Sequence, residues 1–257
     1  MAKNSKIIRS LTFSAIMIAL AVVLTRFGSF YIPGAPFIRI GFGSIPTIVT
    51  SLVAGPIWGL LVGAGSDLIG ALLFPVGAFF PGYTIDAALQ GVIPYFVVSL
   101  LKGRYKRQSV VSSIFIAAFI MVIIFFSAKY SSYRGTELAD WLRVTIPVFF
   151  GIYFLAVYTV FHFMSKTKTF SLVDRSQKRF SLFDIYIICL VNEVIISMGL
   201  LGIWNGMVFQ LDWLFNAFTQ ALTFTINGVI RTFVLFFILN ALFKLDNTME
   251  TTLKIQE

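Results

Sequence analysis

Apolar runs of about twenty residues, the length of a helix that spans a bilayer, recur from one end of this chain to the other. They cover roughly residues 7–27, 43–76, 82–101, 111–128, 141–164, 182–201 and 213–243. Backbone polar groups in hydrocarbon find no water, so each run must satisfy its own hydrogen bonds as a helix. Soluble domains are about a quarter charged, whereas this chain is 58% hydrophobic and only 12% charged. An all-α integral membrane protein is the expected fold class.

The run 43–76 is too long for one ordinary span and short for two. Gly55-Pro56 divides it, because proline lacks the N–H and clashes with the preceding turn, and two helices are expected over 45–54 and 56–73. Charge agrees with that division. The stretch 82–101 ends on a basic cluster running from Lys102 to Arg107, and the segment 165–181 carries Lys166, Lys168, Arg175, Lys178 and Arg179. Both are expected in the cytoplasm by the positive-inside bias. The segment 129–140 is charge-balanced, as an outside loop should be. Eight crossings with both termini cytoplasmic satisfy every cluster.

Composition excludes much. The formal net charge of +9 invites a nucleic-acid reading, but the positive charges gather at the ends of apolar runs, and no nucleic-acid partner is expected. Cys189 is the only cysteine and His162 the only histidine, which removes intrachain disulfides, Cys-based or multi-His metal sites and His-centred catalysis. His162 reads as a helix-end residue near the interface. No phosphate-binding lysine loop occurs, and Gly41-Phe-Gly43 and Gly63-Ala-Gly65 are read as following no strand. Neither a catalytic function nor a cofactor is expected. The basic start (Lys3, Lys6, Arg9) resembles a signal peptide, but Thr25-Arg26-Phe27 is no cleavage site, so a retained first helix is expected.

The stretch 37–86 is unlike a lipid-facing helix. It holds Arg39, Asp67 and Asp86 among many glycines and prolines, and irregular backbone in a membrane is tolerated only where it lines a cavity or is buried in protein. Asp67 falls near the middle of helix 56–73, where an ionisable group is costly and marks function; an internal ion pair is the structural alternative. Asp86 follows Thr84 in what reads as the first turn of a helix, where the helix dipole alone stabilises a carboxylate. On the last helix Gln220, Phe224, Asn227 and Arg231 share one face. Glu193, beside Asn192, is placed either to pair with Arg231 or to meet a ligand. The segment 28–41, with Pro33 and Pro36, is expected as an outer loop; Arg26 stands just before it and Arg39 near its end, and snorkelling to the interface is the bland account of each. Phe79, Phe80, Tyr83 and Trp204 suit an aromatic belt, but Pro75 and Pro81 fix the backbone around Phe79 and Phe80. Together these residues suggest an outward-opening pocket for a flat heteroaromatic ligand with acidic groups. Ala15 and Ala19 form a small-xxx-small pair that permits close helix approach.

The motifs Arg39-Ile-Gly-Phe-Gly-Ser-Ile-Pro46, Ala54-Gly-Pro-Ile-Trp-Gly59, Asp67-Leu-Ile-Gly70 and Gly77-Ala-Phe-Phe-Pro-Gly82 resemble those of the folate-specific substrate-binding (S) components of bacterial energy-coupling-factor (ECF) transporters. The resemblance covers about residues 7–105 and resumes more loosely over 181–243. It implies a six-helix core that captures a vitamin from outside, then docks on a transmembrane coupling subunit driven by two ABC ATPases. On that basis residues 1–107 would hold S-component helices one to four, 108–181 an inserted transmembrane hairpin and cytoplasmic loop, 182–245 helices five and six, and 246–257 a cytoplasmic tail. Ala15 and Ala19 match the family's coupling-subunit contact. The resemblance implies folate or a related pterin as ligand and places Asp67, Phe79 and Phe80 close to it, with Asp67 on the pterin edge. Phe79, Phe80 and Trp204 would stack, and Arg26, Arg39 or Arg231 would pair with the glutamate carboxylates. Gly41, Phe42, Thr84, Asp86, Asn192 and Asn227 complete the expected contacts. Another vitamin, or a proton-coupled transporter using Asp67, Glu193 and Arg231, is the alternative.

Overall fold

The structure, a computed structural model, describes residues 2–32, 35–75, 79–101, 105–129, 132–133, 136–137, 140–164, 171–173 and 179–255. Helices α1 (Ala2–Arg26), α2 (Ser44–Ala54), α3 (Pro56–Leu73), α4 (Pro81–Leu101), α5 (Tyr105–Lys129) and α6 (Asp140–Met164) are followed by one long rod. That rod is α7 (Leu182–Asn192), a π-helical stretch Glu193–Leu200 and α8 (Leu201–Phe209); α9 (Trp213–Ile255) ends the fold. Among the described residues, six helical segments are long and apolar enough to cross a membrane, and Ser44–Ala54 and Val148–Met164 are shorter apolar helices. An all-α, multi-pass membrane protein is therefore what the chain forms, with eight helical rods among the described residues.

Gly55 separates α2 from α3 with φ +106°, a backbone that residues bearing a Cβ rarely adopt, and Pro56 opens α3 at its first position, where its missing N–H costs nothing. Helices α3 and α4 then run with their backbones touching. A Cβ on Gly63 would collide with the Ala87 carbonyl oxygen, and one on Gly91 with that of Gly59. Small residues permit such approach in a bilayer, where dispersion rather than the hydrophobic effect holds helices together.

The segment 28–41, expected as a loop, instead forms an antiparallel hairpin of β1 (Ser29–Ile32) and β2 (Ala35–Gly41), with Phe30 opposite Ile40 and Tyr31 opposite Arg39. Aromatic and β-branched residues dominate both halves, which suits a pleated surface. Gly41 thus closes a strand, contrary to the expectation, although the sheet has only two strands. Two shorter hairpins, β3–β4 (Ser132–Tyr133, Thr136–Glu137) and β5–β6 (Ser171–Val173, Arg179–Ser181), join other helices.

Helix α7 is the centre of the bundle. Every residue from Leu182 to Asn192 except Asp184 is buried, as befits a helix apolar all round. Its start is set by a capping box in which Ser181 Oγ accepts from the Asp184 N–H and the Ser181 N–H donates to Asp184 Oδ2 (2.7 Å). By contrast α1 shows Ile8, Leu11, Ile16 and Val23 to the outside, and Ala15 and Ala19 are exposed on the same helix.

Candidate functional site

One end of the bundle carries the β1–β2 hairpin, Pro75, Phe79 and Phe80, and the 210–212 turn. From this loop end a cavity of about 420 Å³ runs into the protein, within the usual range for small-molecule sites of about 300–1,000 Å³. Its wall is drawn from α1, the β1–β2 hairpin, the short α2, α3, α4, the π stretch, α8 and α9.

Two carboxylates lie on the α3–α4 side. Asp67 Oδ2 accepts from Thr84 Oγ1 at 2.6 Å. Asp86 Oδ1 accepts from Trp204 Nε1 at 3.1 Å, while its Oδ2 is buried without a partner, in a residue 4% exposed. Helix α4 begins at Pro81, so Asp86 lies beyond the first turn, where the helix dipole has faded. The Phe80 ring packs against Trp204 at 5.8 Å and edge-on to Tyr83 at 5.5 Å. Arg26, at the end of α1, turns inward across Gly70, where a Cβ would meet its Nε at 2.9 Å. That nitrogen is buried without a partner.

Deeper in, Arg231 Nη1 approaches Glu193 Oε2 at 3.6 Å, with side chains 12% and 4% exposed. Of the two alternatives for Glu193, the pairing with Arg231 is present. Asn227 Nδ2 donates to the Gly41 carbonyl at 3.4 Å, while Asn227 Oδ1 and Arg231 Nε are buried without partners. Arg231 lies about five helical turns along α9 from Trp213, so this group forms the floor. The α9 stripe lines the cavity through Gln220, Phe224, Asn227 and Arg231.

The π stretch brings Glu193, Ile196 and Ser197 to the wall. Its displaced carbonyls are taken up by α9: Asn216 Nδ2 donates to Ser197 O (3.3 Å) and Trp213 Nε1 to Gly199 O (3.3 Å). Asn216 Oδ1 also accepts from Asn205, whose Oδ1 accepts from the Tyr83 hydroxyl. A polar chain thus links α4, α8, the π stretch and α9.

Of the expected contacts, Arg26, Gly41, Asp67, Phe79, Phe80, Asp86, Asn227 and Arg231 line the cavity. Thr84 and Trp204 hold the two aspartates from behind. Phe42 packs on the apolar core. Asn192 is buried with neither amide atom hydrogen-bonded and is not on the wall. The Arg39 side chain lies outside the described residues. Sequence reasoning missed Thr25, Ser44, Thr47, Ser66 and Gln90, all on the wall; a hydroxyl or amide interrupting an apolar run was the available signal.

A model of the family described as "ECF transporter, substrate-specific component" matches residues 9–164, well over half of the chain. This chain belongs to that family. The matched range takes in α5 and α6 and stops before the π stretch and α9, which supply the cavity floor. Among individual relatives, "Folate transporter FolT" of Clostridium novyi (strain NT) is 43% identical over 88 residues, 34% of this chain and 49% of its own length. A protein of the same description from Leuconostoc mesenteroides subsp. mesenteroides is 31% identical over 85 residues, 33% of this chain and 44% of its own. The chain spans about half the length of the curated relatives it matches.

Proposed function

We propose that this S component captures folate or a closely related pterin from outside the cell. It would deliver the vitamin inward after docking on a coupling subunit driven by two ABC ATPases. The observation that carries the ligand class is Asp86: a buried carboxylate beside the aromatic wall, oriented by Trp204, with one oxygen left without a partner. A buried acceptor without a partner is costly, and an N–H group of a flat heterocycle would satisfy it while Phe80 and Phe79 pack on the ring. Asp67 offers a second acceptor, and the arginines at the two ends supply partners for carboxylates, which they bind with charge-assisted hydrogen bonds. Both relatives are named as folate transporters, which supports the same ligand.

In this reading the loop end faces outward and both termini face the cytoplasm. The exposed Ala15 and Ala19 face of α1 meets the coupling subunit, and residues 108–181 are an addition to a six-helix core.

The test is tryptophan fluorescence of the purified protein titrated with folate, since Trp204 touches the site. Saturable quenching at sub-micromolar folate, absent with thiamine or riboflavin and lost in Trp204→Phe, is expected. A response to another vitamin but not folate would keep the class and discard the ligand. Silence to all, with uptake persisting in cells that lack the ATPases, would favour a secondary transporter.

A further inference from the structure

We infer that α5 and α6 act on the ligand site from behind: Phe119 and Tyr153 are positioning residues that hold Phe224, a side chain of the cavity wall, in its place on α9. Neither of the two lines the cavity. They stand on the two helices to which the folate reading above gives no role, and the inference rests on that reading for its ligand.

Helix α9 shows Gln220, Phe224, Asn227 and Arg231 to the cavity. Two residues along a helix is about 200° round it, so Phe218 and Thr225 point away from Gln220 and Asn227. That far side is covered by α5 and α6 rather than left to lipid, and the cover is aromatic along its length. Near the start of α9, Phe126 stacks face to face on Phe218, with centroids 3.8 Å apart and planes 3° from parallel. Further along, Phe119 lies 5.3 Å from Phe224, and deeper still Phe161 lies 5.5 Å from Phe233. From Phe218 to Phe233 is about 22 Å of helix, so these contacts resist tilting of α9 as well as rotation. Lys129 and Asp212 join the same pair of helices at the loop end.

Phe224 belongs to both sides. It lines the cavity, and its ring lies against Gly228, where a Cβ would collide with it. Phe119 closes the back of the ring and is itself backed by Phe154 of α6 at 4.9 Å. Phe119 and Phe154 are 0% and 1% exposed, and interiors packed this closely pass a change of volume on to their neighbours. The residue after Phe224 is held as well, because the Tyr153 hydroxyl of α6 donates to the Thr225 carbonyl. In hydrocarbon that hydroxyl has no water to turn to, so the bond fixes α6 against α9 at the level of Phe224.

A bilayer gives helices no hydrophobic push toward one another, and packing and hydrogen bonds set how they are turned. With acyl chains in place of α5 and α6, the Phe224 ring would be free to swing back from the cavity. Their aromatic cover sets the wall before a ligand arrives, which lowers the ordering cost of binding.

A double-mutant cycle on the full-length protein in detergent tests this, with folate affinity from calorimetric titration and melting temperature read for each variant. Phe119→Ala should weaken folate by about three- to tenfold, the scale of one aromatic pair. In a Phe224→Ala background the same substitution should change folate affinity by less than about twofold, because the ring that it positions is gone. Tyr153→Phe, which keeps the ring and removes only the donor, should follow the same pattern. Phe161→Ala should lower the melting temperature as Phe119→Ala does and leave folate affinity as it was. An equal loss of affinity in both backgrounds, a lowered melting temperature with unchanged affinity in Phe119→Ala, or a loss of affinity in Phe161→Ala as large as in Phe119→Ala overturns the inference. If the alanine variants do not fold, Phe119→Leu and Phe224→Leu give the same cycle. Failure of the unaltered protein to bind folate is a separate outcome, which overturns the folate reading itself and this inference with it.

Discussion

Asp67 and Asp86 are both aspartates on the same wall, yet their situations differ. Asp67 already accepts a 2.6 Å hydrogen bond from Thr84 of α4, whereas Asp86 Oδ2 has no partner. Replacing Asp86 by Asn puts a donor where a ligand N–H would point, and folate affinity should fall by about 1.5–3 kcal/mol, the scale of a hydrogen bond to a charged group. Asp67→Asn should cost affinity on the same scale if its second oxygen meets the ligand. Calorimetric titration of each variant measures both losses, and unchanged affinity removes that aspartate from the site. Serine and threonine hydroxyls on the wall were harder to foresee than the aspartates. Their hydroxyls often turn back to the helix, as Ser66 does to Gly63 O and Thr223 to Gln220 O, so their presence in an apolar run carries little information.

At the scale of elements, two contacts position the site. The first is the backbone approach of α3 to α4 at Gly63 and Gly91. Gly63→Val would drive a branched side chain into the Ala87 carbonyl and should destabilise the fold by about 1–3 kcal/mol, the cost of overpacking. A lowered melting temperature in detergent would register it. The second is the polar chain Tyr83–Asn205–Asn216–Ser197. Asn205 and Asn216 are 2% and 0% exposed. Asn216→Ala leaves the Asn205 amide and the Ser197 carbonyl unsatisfied at about 1–3 kcal/mol for each buried group. Melting temperature and folate affinity should therefore fall together, because the same chain holds the π stretch that carries Glu193. Loss of stability with unchanged affinity would show that the stretch keeps its shape without Asn216.

For the whole molecule, ligand and membrane orientation give the sharpest expectations. Folate at a hundred times its dissociation constant should stabilise the protein by about 2.7 kcal/mol, visible as a raised melting temperature that thiamine does not reproduce. Cys189 is fully buried, so single cysteines can be introduced over a silent background. A membrane-impermeant thiol reagent applied to intact cells should label Lys129→Cys and spare Arg9→Cys. Labelling of Arg9→Cys instead would invert the proposed topology. The ion pair of Lys129 Nζ with Asp212 Oδ2, at 2.5 Å and exposed, ties α5 to the start of α9 at the loop end and is worth little to stability by itself.

What the sequence determined alone was what a lipid solvent makes local. Each apolar run had to close its own hydrogen bonds, so the eight helical rods, the break at Gly55-Pro56 and the polar stripe on α9 were legible from spacing. The Glu193–Arg231 pairing was legible only as one of two alternatives, because two opposite charges deep in adjacent helices can meet each other or a ligand. Only the tertiary structure decided how the rods are turned. The π stretch from Glu193 inserts backbone that no periodicity announces, and one added residue rotates the remainder of the rod by about 100°. Asn192 lies just before it and falls off the wall, while Glu193 lies on it. The same holds for the β1–β2 hairpin, whose pairing joins residues as far apart in the chain as Ser29 and Gly41. It holds too for the choice between Thr84 beside Asp67 and Trp204 beside Asp86, since a hydrogen-bond partner from another helix is set by packing and not by neighbours in the chain.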